Sequence, residues 1–162
     1  MDFPDKRRVL DKLIEAMTAT LTQMAHTAEE VRRDATHEEA KPENDKDTRA
    51  LEQSYLARGQ AIRAEALVEE LKVLHALTLP KFGPGDAIRS GALIALEEEQ
   101  ATRCVFLAPY GGGTGFTVDG TLVMVVTPVS ALGRALLGRR VGDDIEVKVR
   151  TTTRAYSVAA IA

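Results

Sequence analysis

Apolar or small residues fall at Leu10, Ile14, Met17, Leu21, Met24, Ala28, Val31 and Ala35, alternately four and three positions apart. Such a repeat, sustained this long, predicts a coiled-coil seam, because a lone amphipathic helix resting on a globule carries a broader and less regular stripe. The helix is expected to start near Pro4-Asp5, where proline's missing N–H costs nothing, and to run to Glu38 or Glu39. Lys41-Pro42 stops it, since proline pushes the preceding residue out of the α region. A second helix is expected at once, with Pro42 in its first turn and Glu43, Asp45 and Asp47 at the positive end of the helix dipole. Its apolar line runs through Leu51, Tyr55, Gly59, Ile62 and Ala66, then passes to Leu67, Leu71 and Leu74. Two long helices joined by so short a turn must be antiparallel neighbours, so the N-terminal half reads as a coiled-coil hairpin.

The rest of the chain has a different composition. Gly59 is the only glycine before Gly83, and the other eleven lie from there on. Residues 1–79 carry 12 Lys+Arg against 16 Asp+Glu, net −4, whereas residues 80–162 carry 9 against 8, net +1. The change falls at Leu79-Pro80-Lys81-Phe82-Gly83-Pro84-Gly85, which marks a linker. The expected organisation is a hairpin over 1–78, a linker over 79–85 and a second domain over 86–162.

In that second domain, strand-like segments occur at Ala87–Leu96, Thr102–Ala108, Thr121–Thr127, Asp144–Arg150 and Ala155–Ile161. Between the third and fourth, Ser130 is a plausible N-cap, Leu132, Leu136 and Leu137 give an apolar face, and Gly138 can close a short helix in a left-handed conformation. Antiparallel strands with one helix laid on them make a small α+β module.

Several chemistries are excluded or weak. A single cysteine, Cys104, rules out an internal disulfide framework and a cysteine-based structural zinc site. It lies inside a strand, as a core thiol would. His26, His37 and His75 are too far apart to form a metal pair. Tyr110-Gly111-Gly112-Gly113-Thr114-Gly115-Phe116 lacks the Gly-Lys-Ser/Thr of a phosphate loop and reads as a flexible turn between strands. The longest apolar runs, such as Leu122–Val126, are far short of a membrane span, and no signal-peptide core follows the basic N-terminus. A cytoplasmic protein without membrane contact is therefore expected. The net charge of −3 gives no reason to expect direct nucleic-acid binding.

The acid excess collects where the hairpin reverses. Glu29, Glu30, Asp34, Glu38, Glu39, Glu43, Asp45 and Asp47 fall there, partly offset by Arg32, Arg33, Lys41 and Lys46. Arg49, Arg58 and Arg63 then outnumber Glu52. An acidic turn on a stiff arm can present carboxylates to a distant divalent cation, and hard oxygen ligands suit Mg²⁺. The simpler alternative is a solvated turn on a spacer or dimerisation element.

Two segments are similar to a known family. Glu43-Asn44 with Ala50, Glu52 and Gln53 resembles the E-N-x₅-A-x-E-Q stretch of the Gre family of bacterial transcript cleavage factors. Thr127-Pro128-Val129-Ser130 through Arg134-Ala135-Leu136-Leu137-Gly138-Arg139-Arg140-Val141-Gly142-Asp143 resembles that family's Ser, Ala-Leu-Leu-Gly-Lys and Gly-Asp segment before a strand. The likeness covers nearly the whole chain. It implies an FKBP-like antiparallel β domain with one short helix, docking on the rim of the secondary channel of RNA polymerase, and a hairpin that enters the channel. Two tip acids would hold a Mg²⁺ shared with the polymerase site and orient a water against backtracked RNA. The chain would then be a monomeric helper of the polymerase nuclease and not itself an enzyme, meeting nucleic acid only through the polymerase.

On this likeness the metal-holding candidates are Glu39 and Glu43, with Asp45 and Asp47 as further tip acids. Glu43 matches the family's Glu, but Ala40 stands where the family has Asp, and Lys46 stands where it has an aromatic. That departure keeps a second output open, a channel binder that regulates without cleavage. A third reading is an FKBP-like isomerase or ligand-binding module with a helical arm. The few rings beyond the hairpin, Phe82, Phe106, Tyr110, Phe116 and Tyr156, count against it.

Overall fold

The computed structural model describes the backbone of residues 2–38, 46–99 and 101–162, with side chains for all of these except 35–38, 46–50 and Val149. Helix α1 spans Lys6–Glu38 and α2 spans Lys46–His75, forming the N-terminal hairpin. Strands β1 (Leu93–Glu98), β2 (Ala101–Leu107), β3 (Gly115–Val118) and β4 (Thr121–Val126) precede helix α3 (Ala131–Leu136), and β5 (Asp144–Val149) and β6 (Thr152–Ile161) follow it. The chain divides into two compact units. One contains residues 1–14 and 73–162, the other residues 15–72, so the ends of both helices belong to the sheet-bearing unit.

Within the hairpin unit, burial follows part of the expected seam. Met17 is buried and Leu21 and Met24 are half-buried, whereas Ala28 and Val31 are exposed. On α2 the earlier part of the line differs from the one expected. Leu51, Tyr55 and Ile62 are exposed at 56%, 67% and 58%. Leu67, Leu71 and Leu74 are buried as expected, but the line reaches them through half-buried Gln60 and Ala64, with Glu70 half-buried beside it. The line keeps the alternation of four and three, but with small or polar residues at the two positions farthest from Leu74. The larger side chains of Leu51, Tyr55 and Ile62 occupy a different, solvent-exposed face of the helix.

The six strands form one sheet in the order β3-β4-β2-β1-β6-β5. All neighbours are antiparallel except β2 and β4, which run parallel with Cys104 opposite Val123 and Leu107 opposite Val126. Strand β3 was absent from the sequence expectation, and its insertion at the edge explains the parallel pair. After β2 the chain crosses β4 to the sheet edge, reverses at Asp119-Gly120, and returns as β4 between β3 and β2. Both turn residues have positive φ, 51° and 79°, as a two-residue hairpin requires. The expected strand from Ala87 also begins later, at Leu93. Residues before it form a tied loop in which Ile88 N donates to Arg139 O at 2.7 Å and receives Gly138 N on its own carbonyl at 3.0 Å.

One face of the sheet buries Ile94, Leu96, Val105, Leu107, Ile145, Val147, Tyr156 and Val158 together with Leu136 of α3. Alternation puts Leu93, Ala95, Cys104, Phe106, Val123 and Val125 on the other face, and all are buried as well. The same unit fully buries Val9, Leu10 and Leu13 of α1 and Leu74 of α2. These aliphatic side chains are the apolar cover available to that second face.

Gly133 and Gly59 show opposite uses of glycine. A Cβ on Gly133 would collide with the Thr127 carbonyl oxygen, whereas one on the exposed Gly59 would meet nothing. Gly133→Ala should lower the unfolding free energy by about 2 kcal/mol or more through backbone displacement. Gly59→Ala should raise α2 stability by about 1 kcal/mol, the ordinary propensity gain. Denaturant titration followed by circular dichroism reads both, and a Gly133→Ala midpoint equal to that of the parent chain would refute the collision.

Candidate functional site

Of the tip acids singled out in the sequence, Glu39, Glu43 and Asp45 lie outside the described residues. Asp47 lies on the backbone of α2, and its side chain is outside the description too. The acids that are described on the approach to the turn are exposed and locally engaged. Glu29 pairs with Arg32 at 2.7 Å, and Glu30 lies 3.5 Å from His26 Nδ1. Pairs of this spacing on an exposed helix contribute roughly 0.3–0.5 kcal/mol each. Among the described residues no group of three or more His, Cys, Asp or Glu could hold a metal ion.

The C-terminal segment from Thr127 to Asp143 is described in full, and most of its spacing is explained by backbone needs. Ser130 caps α3: its Oγ accepts from Gly133 N at 3.0 Å and donates to Thr127 O at 2.8 Å. Gly133 has no room for a side chain, so the helix starts tightly against the preceding turn. Gly138 leaves the helix with φ 77°, and its N–H reaches Ile88 O, which fastens the helix end to the loop before β1. Gly142 has φ 91° and donates to Val158 O at 2.8 Å. Asp143 closes the next turn, its Oδ2 accepting from Arg140 N at 2.9 Å.

Leu136 is fully buried in the core and Leu132 and Ala135 pack against it, which leaves a set of side chains that neither cap nor pack. Arg134, Leu137, Arg139, Arg140 and Val141 are exposed, and Val129 is 77% exposed. Apolar side chains interspersed with arginines are the composition of a protein-binding surface: arginine contributes forked donors, and the aliphatic groups contribute area. Sequence reasoning singled out this segment by its motif but could not separate capping residues from surface residues.

The other candidate chemistries receive structural answers. The Gly111–Gly115 loop is not a free turn. Gly113 N donates to Val125 O at 2.9 Å, Val125 N donates to Thr114 O at 2.8 Å, and a Cβ on Gly112 would press on the Thr127 side chain. Its glycines serve the crossing from β2 to β3, with Gly111 and Gly113 at φ 78° and 88°. The rings do not converge on one pocket wall, since Phe106 and Tyr156 lie on opposite faces of the sheet. Tyr110 is exposed, and Phe82 is flanked by Lys6 and Arg89.

No family model matches this chain, and no curated protein sequence does. Among solved structures, the crystal structure of Thermus aquaticus Gfh1 is similar, with 22% identity, 91% of this chain and 92% of that chain covered, and a TM-score of 0.38. The GreA factor homolog 1 (Gfh1) of Thermus thermophilus is similar at 23% identity over 92% and 94% of the two chains, also at 0.38. A prokaryotic transcription elongation factor GreA/GreB from Nitrosomonas europaea is similar at 17% identity over 70% and 93%, again at 0.38.

Cys104 is buried between apolar neighbours, and burial pushes its thiol up to about 11 from 9.0. Because the folded value lies above the unfolded one, the neutral thiol's contribution to stability is complete below pH 9 and is lost as pH rises through about 11. Native protein at pH 8 should therefore resist thiol-specific disulfide reagents that label the denatured chain at once. Labelling at equal rates in the two states would show an accessible, activated thiol.

Proposed function

We propose that this protein regulates transcription elongation by binding RNA polymerase and presenting its hairpin turn in the secondary channel. The observation that carries the reading is where the two family-like segments fall in the chain. Glu43-Asn44 precedes α2 and Ala50, Glu52 and Gln53 lie in its first turns. Thr127–Asp143 builds α3 and its flanking turns. A 33-residue helix paired with a 30-residue one supplies an arm of the required kind, since helices of that length extend about 45–50 Å. In this reading the exposed Val129, Arg134, Leu137, Arg139, Arg140 and Val141 hold the polymerase, with the arginines steering the encounter with acidic surface.

The tip then works through its carboxylates. Glu43 and Glu39 are hard oxygen donors, and their chemistry fits Mg²⁺, which takes one or two protein carboxylates and keeps its waters. Bound there, the ion supplies charge neutralisation and an acidified water for phosphodiester hydrolysis. Asp45 and Asp47 add negative potential, and a tip carboxylate can accept the proton of the attacking water. The chain contributes ligands and orientation, while the polymerase contributes the RNA and the rest of the site, so the protein is not an enzyme on its own. Mass action on a shared metal also predicts that cleavage depends on Mg²⁺ more steeply without the factor than with it.

A second output is favoured by one residue. With Ala40 at the position of the family's Asp, the turn has one carboxylate fewer at that place, and a protein that occupies the channel without cleavage would regulate by exclusion.

Transcript cleavage by a stalled, backtracked elongation complex containing the cognate polymerase tests both. Stimulated cleavage should be lost in Glu43→Ala and weakened in Glu39→Ala, with polymerase affinity unchanged. Tight binding without cleavage at any Mg²⁺ concentration would leave the excluding regulator, and failure to bind polymerase would sink the proposal in both forms.

A further inference from the structure

Two cations of the sheet-bearing unit stand over one aromatic ring. The Nζ of Lys6, in the first turn of α1, is 4.9 Å from the centroid of Phe82, and the Cζ of Arg89, in the loop before β1, is 4.7 Å from it. A ring quadrupole attracts each cation, but the two charges repel one another. Lys6 bears the consequence: burial, and then the charge of Arg89, push its ammonium below the ordinary lysine range. Its hydrogen bond to the Pro80 carbonyl, at 2.5 Å, relieves only part of this.

No carboxylate among the described residues pairs with either cation. The acids closest to them in sequence are already committed to the backbone. Asp5 Oδ1 accepts from Arg8 N at 2.8 Å, and its own N–H donates to Asp119. Asp86 Oδ2 accepts from Gly83 N at 2.9 Å, holding the linker turn. Two like charges, a half-buried Lys6 and an exposed Arg89, are thus held at one ring with no counter-charge among the described residues. That arrangement costs free energy in the free protein, and an anion would recover it.

We propose that Lys6 and Arg89, oriented by Phe82, form a binding site for a phosphate-type dianion. Charge stoichiometry selects the class, since a dianion balances both cations and a single carboxylate leaves one unbalanced. Donor geometry agrees: Lys6 keeps ammonium donors beyond the one given to Pro80, and the Arg89 guanidinium offers a planar fork suited to two phosphate oxygens. Little ordering is needed on binding, because the ring already holds both head groups. Lys81 and Arg139 are exposed near the same stretch of chain, Arg139 through its backbone bond to Ile88, and both raise the local positive potential. The site is separate from the acidic turn and from the tip chemistry, so it stands whether or not the chain acts on polymerase. The phosphate can belong to free inorganic phosphate or to the terminal group of a nucleotide.

The test is a titration of the full chain with inorganic phosphate at constant ionic strength, followed by backbone amide NMR. Saturable shifts should centre on Lys6, Phe82 and Arg89, and chloride in place of phosphate should not produce them. Arg89→Gln and Lys6→Gln should each weaken binding about tenfold or more, while Arg134→Gln leaves it unchanged. Arg89 is exposed, so Arg89→Gln keeps the test open if Lys6→Gln folds poorly. A nucleoside monophosphate that binds more tightly than phosphate would identify a nucleotide as the source, and equal binding would identify the free ion. Shifts that are non-saturating, that spread over all surface cations, or that persist in the doubly substituted chain would overturn the site. Equal affinity for succinate would overturn the phosphate class.

Discussion

The fold depends on apolar cover for both faces of a sheet whose central strands have no polar side. Four consecutive positions of β1, Leu93 to Leu96, are buried, alternately under the α3 face and on the opposite one. A strand of this kind is stable only inside a layered structure. The short helix α3 can serve one face. The other requires aliphatic side chains from elsewhere, and the ends of α1 and α2 bring Val9, Leu10, Leu13 and Leu74 into the same compact unit. The first residues of α1 and the last of α2 therefore belong to the sheet-bearing unit, whereas residues 15–72 form a unit of their own. This explains why the fully buried helical side chains are concentrated near Leu10 and Leu74, whereas Gln60 and Ala64 farther along are only half-buried.

The parts of this architecture that were legible in the sequence are those with a strong local cause. The heptad spacing fixed α1, and Ser130 with Gly138 fixed the ends of α3, because caps and left-handed glycines have few alternatives. On α2 the buried Leu67, Leu71 and Leu74 were legible, but the earlier part of the line was not, because Leu51, Tyr55 and Ile62 outweigh Gln60 and Ala64 on any hydrophobicity count although only the second set is withdrawn from solvent. Strand β3 was missed for a related reason. Phe116-Thr117-Val118 is too short to stand out, yet Asp119-Gly120 followed by Thr121-Leu122-Val123 is a hairpin signal that could have revealed it. The parallel pairing of β2 with β4 then follows from counting strands, and no local pattern announces it.

Legibility at the candidate site was uneven for a different reason. The segment from Thr127 to Asp143 is distinctive in sequence largely because its turns demand particular residues. Its motif is thus more informative about folding than about binding, and the exposed Val129, Leu137 and Val141 among the arginines had to be separated from it by geometry. The acidic turn presents the opposite case, since Glu39, Glu43 and Asp45 lie outside the described residues and their pattern in the sequence alone carries the inference. The Lys6–Phe82–Arg89 cluster had no sequence signature at all. Its members lie 76 and 7 positions apart (82 − 6 and 89 − 82), and only the fold brings them together.

The junction between the chain's beginning and its later strands also sets the order in which the protein can be completed during synthesis. The first turn of α1 is capped by Asp5 and tied down by Asp119, which accepts from Asp5 N across 114 positions and forms an ion pair with Arg8. Strand β1 gains its second neighbour only with β6, and Leu93 exchanges backbone hydrogen bonds with the final residue, Ala162. On the ribosome the earliest helix, though capped by its own Asp5, therefore keeps its aliphatic base uncovered until the strands of the same unit have emerged. The sheet-bearing unit thus completes its core only when β6 is made, although its first element is made first, and that interval is when the nascent chain most needs protection from other hydrophobic surfaces.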